Sequence, residues 1–186
     1  MVALGTCVHC GPMPERQAIA ALPPGLLEET GTKRLHIGGT QRKEGWIVFN
    51  ALPGDYVDIL GDVRDLSQFE DESFDMIYGC HILEHLSYIN DLPNVLKSLH
   101  RILKPRGRLF ASVPDLQVLA QLFLHPELTR PERFHVMRMM FGGQVDAFDF
   151  HYVGLTDEFL VELLRPLGFR AIYRVPAFGL FEDTSN

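Results

Sequence analysis

The sequence predicts an α/β domain: a largely parallel sheet of about six strands with helices on both faces. Three observations predict it. Short apolar runs rich in β-formers recur along the chain, each closed by glycine or a small polar residue. Segments with apolar residues at helical spacing lie between several of them. A length of 186 residues with 46% hydrophobic content suits one domain with a substantial core.

Residues 1–33 are expected to be peripheral to a domain spanning residues 34–186. Pro12, Pro14, Pro23, Pro24 and Gly25 leave room there only for short helical turns around Glu15–Ala21 and Gly25–Thr30. Cys7-Val-His-Cys10 has the spacing of half a zinc site, but no second pair of ligands follows it. Arg34–Ile37 is the first strand of the domain. It runs into Gly38-Gly39-Thr40, where missing side chains let a ligand approach the backbone. Trp46–Phe49 is the second strand, closed by Asn50. Residues 38–45 between them are too few for a helical crossover, which needs about a dozen.

Tyr56–Leu60 reads as the third strand, ending in Gly61-Asp62-Val63. Phe74–Tyr78 is the fourth; Gly79 should break it, and Ile82, Leu83 and Leu86 begin a helical spacing. Asn90 is placed to cap a helix whose Leu92, Val95, Leu96, Leu99, Ile102 and Leu103 share one face. Lys104-Pro105-Arg106-Gly107 stops that helix. Arg108–Val113 is the fifth strand, closed by Pro114-Asp115.

The alternation is interrupted at about residues 116–151. Leu116–Leu124 and Pro131–Met140 read as helices, followed by Gly142-Gly143-Gln144 and the polar-aromatic run Asp146–His151. An insertion after the fifth strand lies on the ligand side of the sheet, so this segment is expected to form a helical cap. Thr156 begins the last helix, with Asp157 and Glu158 in its first turn, and Gly168 ends it. Phe169–Val175 alternates cleanly and gives the final strand.

A formal charge of -7 disfavours nucleic acid, which requires a clustered basic face. The basic run Lys97, Arg101, Lys104, Arg106 and Arg108 falls mostly at a helix end, where cations complement the dipole. An odd cysteine count, no signal-peptide pattern and no apolar run of membrane-spanning length point to a cytoplasmic protein without a membrane partner. The oligomeric state is not legible.

Gly38-Gly39, Asn50, Asp62, Cys80-His81 and Asp115 all lie just past predicted strand ends. In a parallel sheet with right-handed crossovers those ends share one edge, so a binding site built from successive loops is expected there. Turn chemistry alone also favours Gly, Asn and Asp at such points. His81-Ile-Leu-Glu84-His85 matches the His-x-x-Glu-His pattern of inverted zinc peptidases, and Asp146, Asp149 and His151 would extend such a site. The motif begins in a strand-to-helix turn, so its two histidines need not share a helix face, and no metal is expected.

Leu35-His-Ile-Gly-Gly-Thr40, Gly45-Trp-Ile-Val-Phe-Asn50, Gly61-Asp-Val-Arg-Asp-Leu66, Ser73-Phe-Asp-Met-Ile-Tyr78, Leu83-Glu-His85, Leu103-Lys-Pro-Arg-Gly107 and Val113-Pro-Asp115 occur together in order. In that combination the chain resembles a class I S-adenosylmethionine-dependent methyltransferase of the type 11 group, in the small subgroup with a shortened first crossover. The resemblance covers about residues 33–182. It implies a Rossmann-like, three-layer α/β/α fold, S-adenosylmethionine as cofactor, and methyl transfer to an unidentified small-molecule acceptor.

Carried over by position, the resemblance implies that Gly38, Gly39 and Thr40 approach the methionine part of the cofactor. Asn50 would meet the ribose hydroxyls, Asp62 and Val63 the adenine, and Cys80 and His81 the sulfonium. Should the acceptor have to lose a proton, His81, His85, His151 and Asp115 are the candidate bases. Two positions depart from the family pattern: Thr40 stands where a second glycine is usual, and Asn50 where an aspartate is usual. These changes leave a catalytically inactive, methyltransferase-like binding or assembly module as the alternative.

Overall fold

The computed structural model describes residues 31–183 and the backbone of residues 2–8. Seven strands form one sheet: β1 (Val2–Val8), β2 (Arg34–Ile37), β3 (Trp46–Asn50), β4 (Ile59–Leu60), β5 (Phe74–Cys80), β6 (Leu103–Val113) and β7 (Phe169–Val175). Their order is β4-β3-β2-β5-β6-β1-β7. The five strands from β4 to β6 run parallel. β1 enters antiparallel between β6 and β7. The expectation that residues 1–33 lie outside the sheet therefore does not hold for Val2–Val8. Strand β7 points the same way as β6, and β1 supplies the backbone partners each needs on its facing edge. Cys10 and the two N-terminal helical turns fall outside the described residues.

The other differences from the sequence reading have local causes. β4 is only two residues long, because the Asp58 carboxylate accepts from the Val48 amide at 2.8 Å and Val57 closes a turn on Gly54. β5 continues through Gly79 and Cys80, which pair with Ala111 and Ser112; the break comes at His81, whose φ is 54°. The helical spacing at Ile82–Leu86 gives a single 3-10 turn, Leu83–His85, after which Leu86 is extended. β6 pairs with β5 at Leu103 and again from Arg108, so residues 104–107 bulge from the ladder. Asn90 stands at the N-cap of helix α1 (Asp91–Ile102) without a side-chain capping bond.

Helix α1 packs Leu92, Val95, Leu96, Leu99 and Ile102 on one sheet face, beside Leu160 and Leu164 of α4 (Asp157–Leu164). Phe49, Phe74 and Ile77 meet them from the sheet. Helices on both faces were expected. Among the described residues the second face, with Trp46, Met76, Tyr78 and Phe110, is covered by Phe178, Leu180 and Phe181 of the C-terminal segment. The sheet is thus the middle of three layers, the third being, among the described residues, irregular C-terminal chain.

The basic run serves the fold. Arg101 donates to the carbonyls of Phe69 and Leu66 and pairs with Asp71, and Lys104 pairs with Asp75 at 2.7 Å. α2 (Leu116–Leu124) and α3 (Arg130–Phe141) follow β6, where two helices were expected. Asp115 caps α2 by accepting from the amides of Gln117 and Val118, and Thr129 with Glu132 forms a capping box on α3. No described helix is long and apolar enough to cross a membrane.

Candidate functional site

The loops that follow β2, β3, β4 and β5 converge on one cavity of about 630 Å³. Gly38 and Thr40 reach it from β2, Asn50 from β3, Asp62 and Val63 from β4, and His81 and His85 from β5. Ile37, Phe49 and Ile82 give it an apolar wall, and Asp91, Asp146 and Asp149 add carboxylates. The volume is that of a small-molecule pocket, which typically spans about 300–1,000 Å³.

Each loop is fixed by its own chemistry. Gly38 has a φ of 69°, which favours glycine, and a Cβ there would also require the end of the Ile82 side chain to move. Asn50 donates from Nδ2 to the Gly39 carbonyl at 2.9 Å and accepts the Leu52 amide at Oδ1 at 2.9 Å. Both ends of its carboxamide thus bond within the protein, tying the β2 and β3 loops together. Asp62 is gripped by the Arg64 guanidinium, and its Oδ1 also accepts the Arg64 amide at 2.9 Å. The hydrogen bond from Arg64 holds the Asp62 carboxyl below the usual carboxylate range, against some desolvation.

At the β5 end, His81 places Nδ1 2.8 Å from Oε1 of the buried Glu84. Burial opposes charge on His81, but the neighbouring Cys80 and the buried Glu84 outweigh it, raising the imidazole to about 10. His81 is therefore a hydrogen-bond donor at neutral pH rather than a base. The second Glu84 oxygen, Oε2, is buried and unpartnered.

A second cavity, of about 500 Å³, lies between the sheet edge and the cap helices, and His81 borders it too. Asp115, Leu119, Arg138, Met139 and His151 line it. Burial lowers the His151 imidazole, with Glu84 opposing that shift. The Asp115 carboxylate is occupied: one oxygen caps α2, and the other lies 3.4 Å from Arg174.

Of the residues expected at the site, Gly38, Thr40, Asn50, Asp62, Val63, His81 and His85 line the first cavity, while Asp115 and His151 line the second. Gly39 lines neither; it lies against the His36 ring, where a Cβ would come within 2.6 Å of Nδ1. Cys80 lines neither because the strand's alternation turns it, with Tyr78, toward the opposite face of the sheet. Sequence reasoning missed Asp91, Phe148 and Tyr152 as lining residues. Asp91 had a signal, since a helix N-terminus just beyond the β5 loop sits on the same rim.

Comparisons with known proteins bear on the fold. Residues 42–111 match the family described as "Methyltransferase domain". Among solved structures, a SAM-dependent methyltransferase from Archaeoglobus fulgidus is 21% identical with a TM-score of 0.51; the match covers 75% of this chain and 62% of that one. A SAM-dependent methyltransferase from Methanosarcina mazei is 18% identical with a TM-score of 0.49, covering 79% and 84%. A possible histamine N-methyltransferase from Thermotoga maritima is 21% identical with a TM-score of 0.48, covering 75% and 65%. The chain thus spans 62% of the length of the Archaeoglobus protein, and the likeness is one of fold. No curated protein matches the sequence at a significant level.

Proposed function

We propose that this chain, which has the methyltransferase fold and carries the methyltransferase-domain pattern over residues 42–111, transfers a methyl group from S-adenosylmethionine to a small-molecule acceptor. The observation that carries the reading is the single cavity shared by four successive strand ends, with a second cavity meeting it at His81. Its lining fits the cofactor. The apolar wall of Phe49, Val63 and Ile82 suits a base, and the carboxylates of Asp91, Asp146 and Asp149 suit the cationic end.

When bound, S-adenosylmethionine supplies a methyl group on a sulfonium, which the acceptor nucleophile displaces in line with a thioether leaving. The residues of the chain contribute mainly alignment. Gly38 keeps the β2 loop close to the cavity floor, and Asn50 holds that loop against the β3 end. Asp62 and Val63 offer an acceptor edge beside an apolar surface. His81, anchored on Glu84, stands at the boundary where donor and acceptor would meet. A small acceptor is favoured because the cap cavity, at about 500 Å³, is of small-ligand size.

The second reading is a binding or assembly module without catalysis. It is favoured by Asn50, whose carboxamide is already engaged at both ends. Isothermal calorimetry with S-adenosylmethionine and S-adenosylhomocysteine separates the two. Saturable heat at one site per chain with both ligands supports the enzyme; no heat with either overturns it in favour of the module.

A further inference from the structure

Three side chains at the wall between the two cavities form a cluster that methyl transfer does not require. Glu84, His85 and His151 each present a ligand atom, and these atoms lie within 4.8 Å of one another. Glu84 is only 2% exposed, and its Oε2 has no hydrogen-bond partner. A buried carboxylate oxygen left bare costs about 1–3 kcal/mol or more, and something is needed to offset that.

The His85 imidazole is oriented as a ligand is. His85 Nδ1 lies 3.1 Å from the Phe150 carbonyl, which can only accept, so Nδ1 carries the hydrogen and Nε2 keeps its lone pair. A main-chain carbonyl on one ring nitrogen is the usual means of fixing the tautomer of a metal-binding histidine. The two rings stand edge to face with centroids 4.7 Å apart. The backbone holds them together: the amides of Tyr152 and Val153 both donate to the Glu84 carbonyl.

We propose that Glu84, His85 and His151 bind one divalent transition-metal ion. Two imidazole nitrogens and a carboxylate suit zinc, cobalt or ferrous iron, whereas magnesium and calcium prefer oxygen alone. His81 is not a ligand in this arrangement: its Nδ1 is bonded to Glu84 Oε1, so it orients the carboxylate that supplies the third ligand atom. The site thus departs from the His-x-x-Glu-His pattern, with its third ligand 66 residues beyond His85 in sequence. His85 lines the first cavity and His151 the second, so a three-ligand ion would have open positions toward both. An oxygen-bearing acceptor could occupy one of them; that last step rests on the methyl-transfer reading, and the ion site does not.

The test is titration of chelator-stripped full-length protein with cobalt(II), without S-adenosylmethionine, followed by visible absorption and equilibrium dialysis. One cobalt per chain is expected, with the ligand-field bands of nitrogen and oxygen donors and displacement by zinc. His85→Ala and His151→Ala should each weaken binding by more than the roughly 10–100-fold that loss of an outer-shell partner costs, and His81→Asn by about that amount. Both ligand histidines are partly exposed, so far-ultraviolet circular dichroism should stay unchanged in their alanine variants. Absence of stoichiometric uptake, or uptake indifferent to both alanine variants, overturns the proposal. So does a thiolate charge-transfer band, which would place the ion on cysteine.

Discussion

Asn50 and Gly39 are joined by a 2.9 Å hydrogen bond from the carboxamide Nδ2 to the main-chain carbonyl, across the gap between the first two loops of the site. An aspartate at position 50 would keep the Leu52 amide as a donor but would set a carboxylate oxygen against the Gly39 carbonyl. Asn50→Asp should therefore lower the stability of the ligand-free protein by about 1–2 kcal/mol. It should also enlarge the thermal shift produced by S-adenosylmethionine, because a carboxylate accepts hydroxyl hydrogen bonds more strongly than an amide does. Thermal melts with and without the ligand read both effects. An unchanged ligand shift would mean that Asn50 does not face the ribose.

Asp62 separates recognition from stability. Its pair with Arg64 is half-exposed, so losing it should cost under about 1 kcal/mol. Asp62→Ala is nevertheless expected to abolish the thermal shift caused by S-adenosylmethionine, whereas Arg64→Ala, which frees the carboxylate, should retain it. Equal losses in both variants would show that the ion pair, not the Asp62 carboxylate alone, is what the ligand needs.

Much of this site could be read from the chain, because turn residues at strand ends follow from local chemistry. Leu116–Leu124 and Phe169–Val175 were legible to the residue, the first from its apolar spacing after Asp115 and the second from clean alternation. Val2–Val8 was not, because its place depends on the two edges, of β6 and β7, that it joins. The short β4 was overestimated because Asp58 uses its side chain where a strand would use its backbone. Cys80 was read as lying past a strand end because β5 was taken to end at Tyr78; two further residues of strand turn it to the far face. The engagement of Asn50 with Gly39 and the meeting of His85 with His151 are contacts across the fold that no spacing encodes.

Gly38 gives a test of how tightly the β2 loop is built. Gly38→Ala meets two separate obstacles, a φ of 69° and the Cδ1 atom of Ile82. The backbone obstacle alone costs about 1–2 kcal/mol. Ile82→Ala should relieve the overlap but not the backbone strain. In a double-mutant cycle by urea denaturation, the two substitutions should therefore be less destabilising together than the sum of their separate effects. Strict additivity would mean that Ile82 does not close over the glycine.

The last prediction concerns pH and the sheet face opposite the cap. His36 on β2 is 4% exposed, with ring centroids 5.0 Å from Tyr78 and 4.0 Å from Phe181. Burial lowers its imidazole to about 4, and the charge of Asp183 only partly opposes this. Above the ordinary value of 6.5 the ring is neutral in both folded and unfolded chains, and His36 adds no pH dependence. Between 6.5 and about 4 the unfolded chain takes up a proton that the folded chain refuses, so stability falls as the pH is lowered; below about 4 both forms are protonated and the loss levels off. Across that window the loss attributable to His36 should reach about 3 kcal/mol. Carboxylates titrate in the same range, so the quantity to measure is the difference from His36→Phe in urea melts at stepped pH. Parallel stability curves for the two proteins would show that His36 can be protonated in the folded state, and that the aromatic layer of Trp46, Tyr78 and Phe181 does not exclude charge.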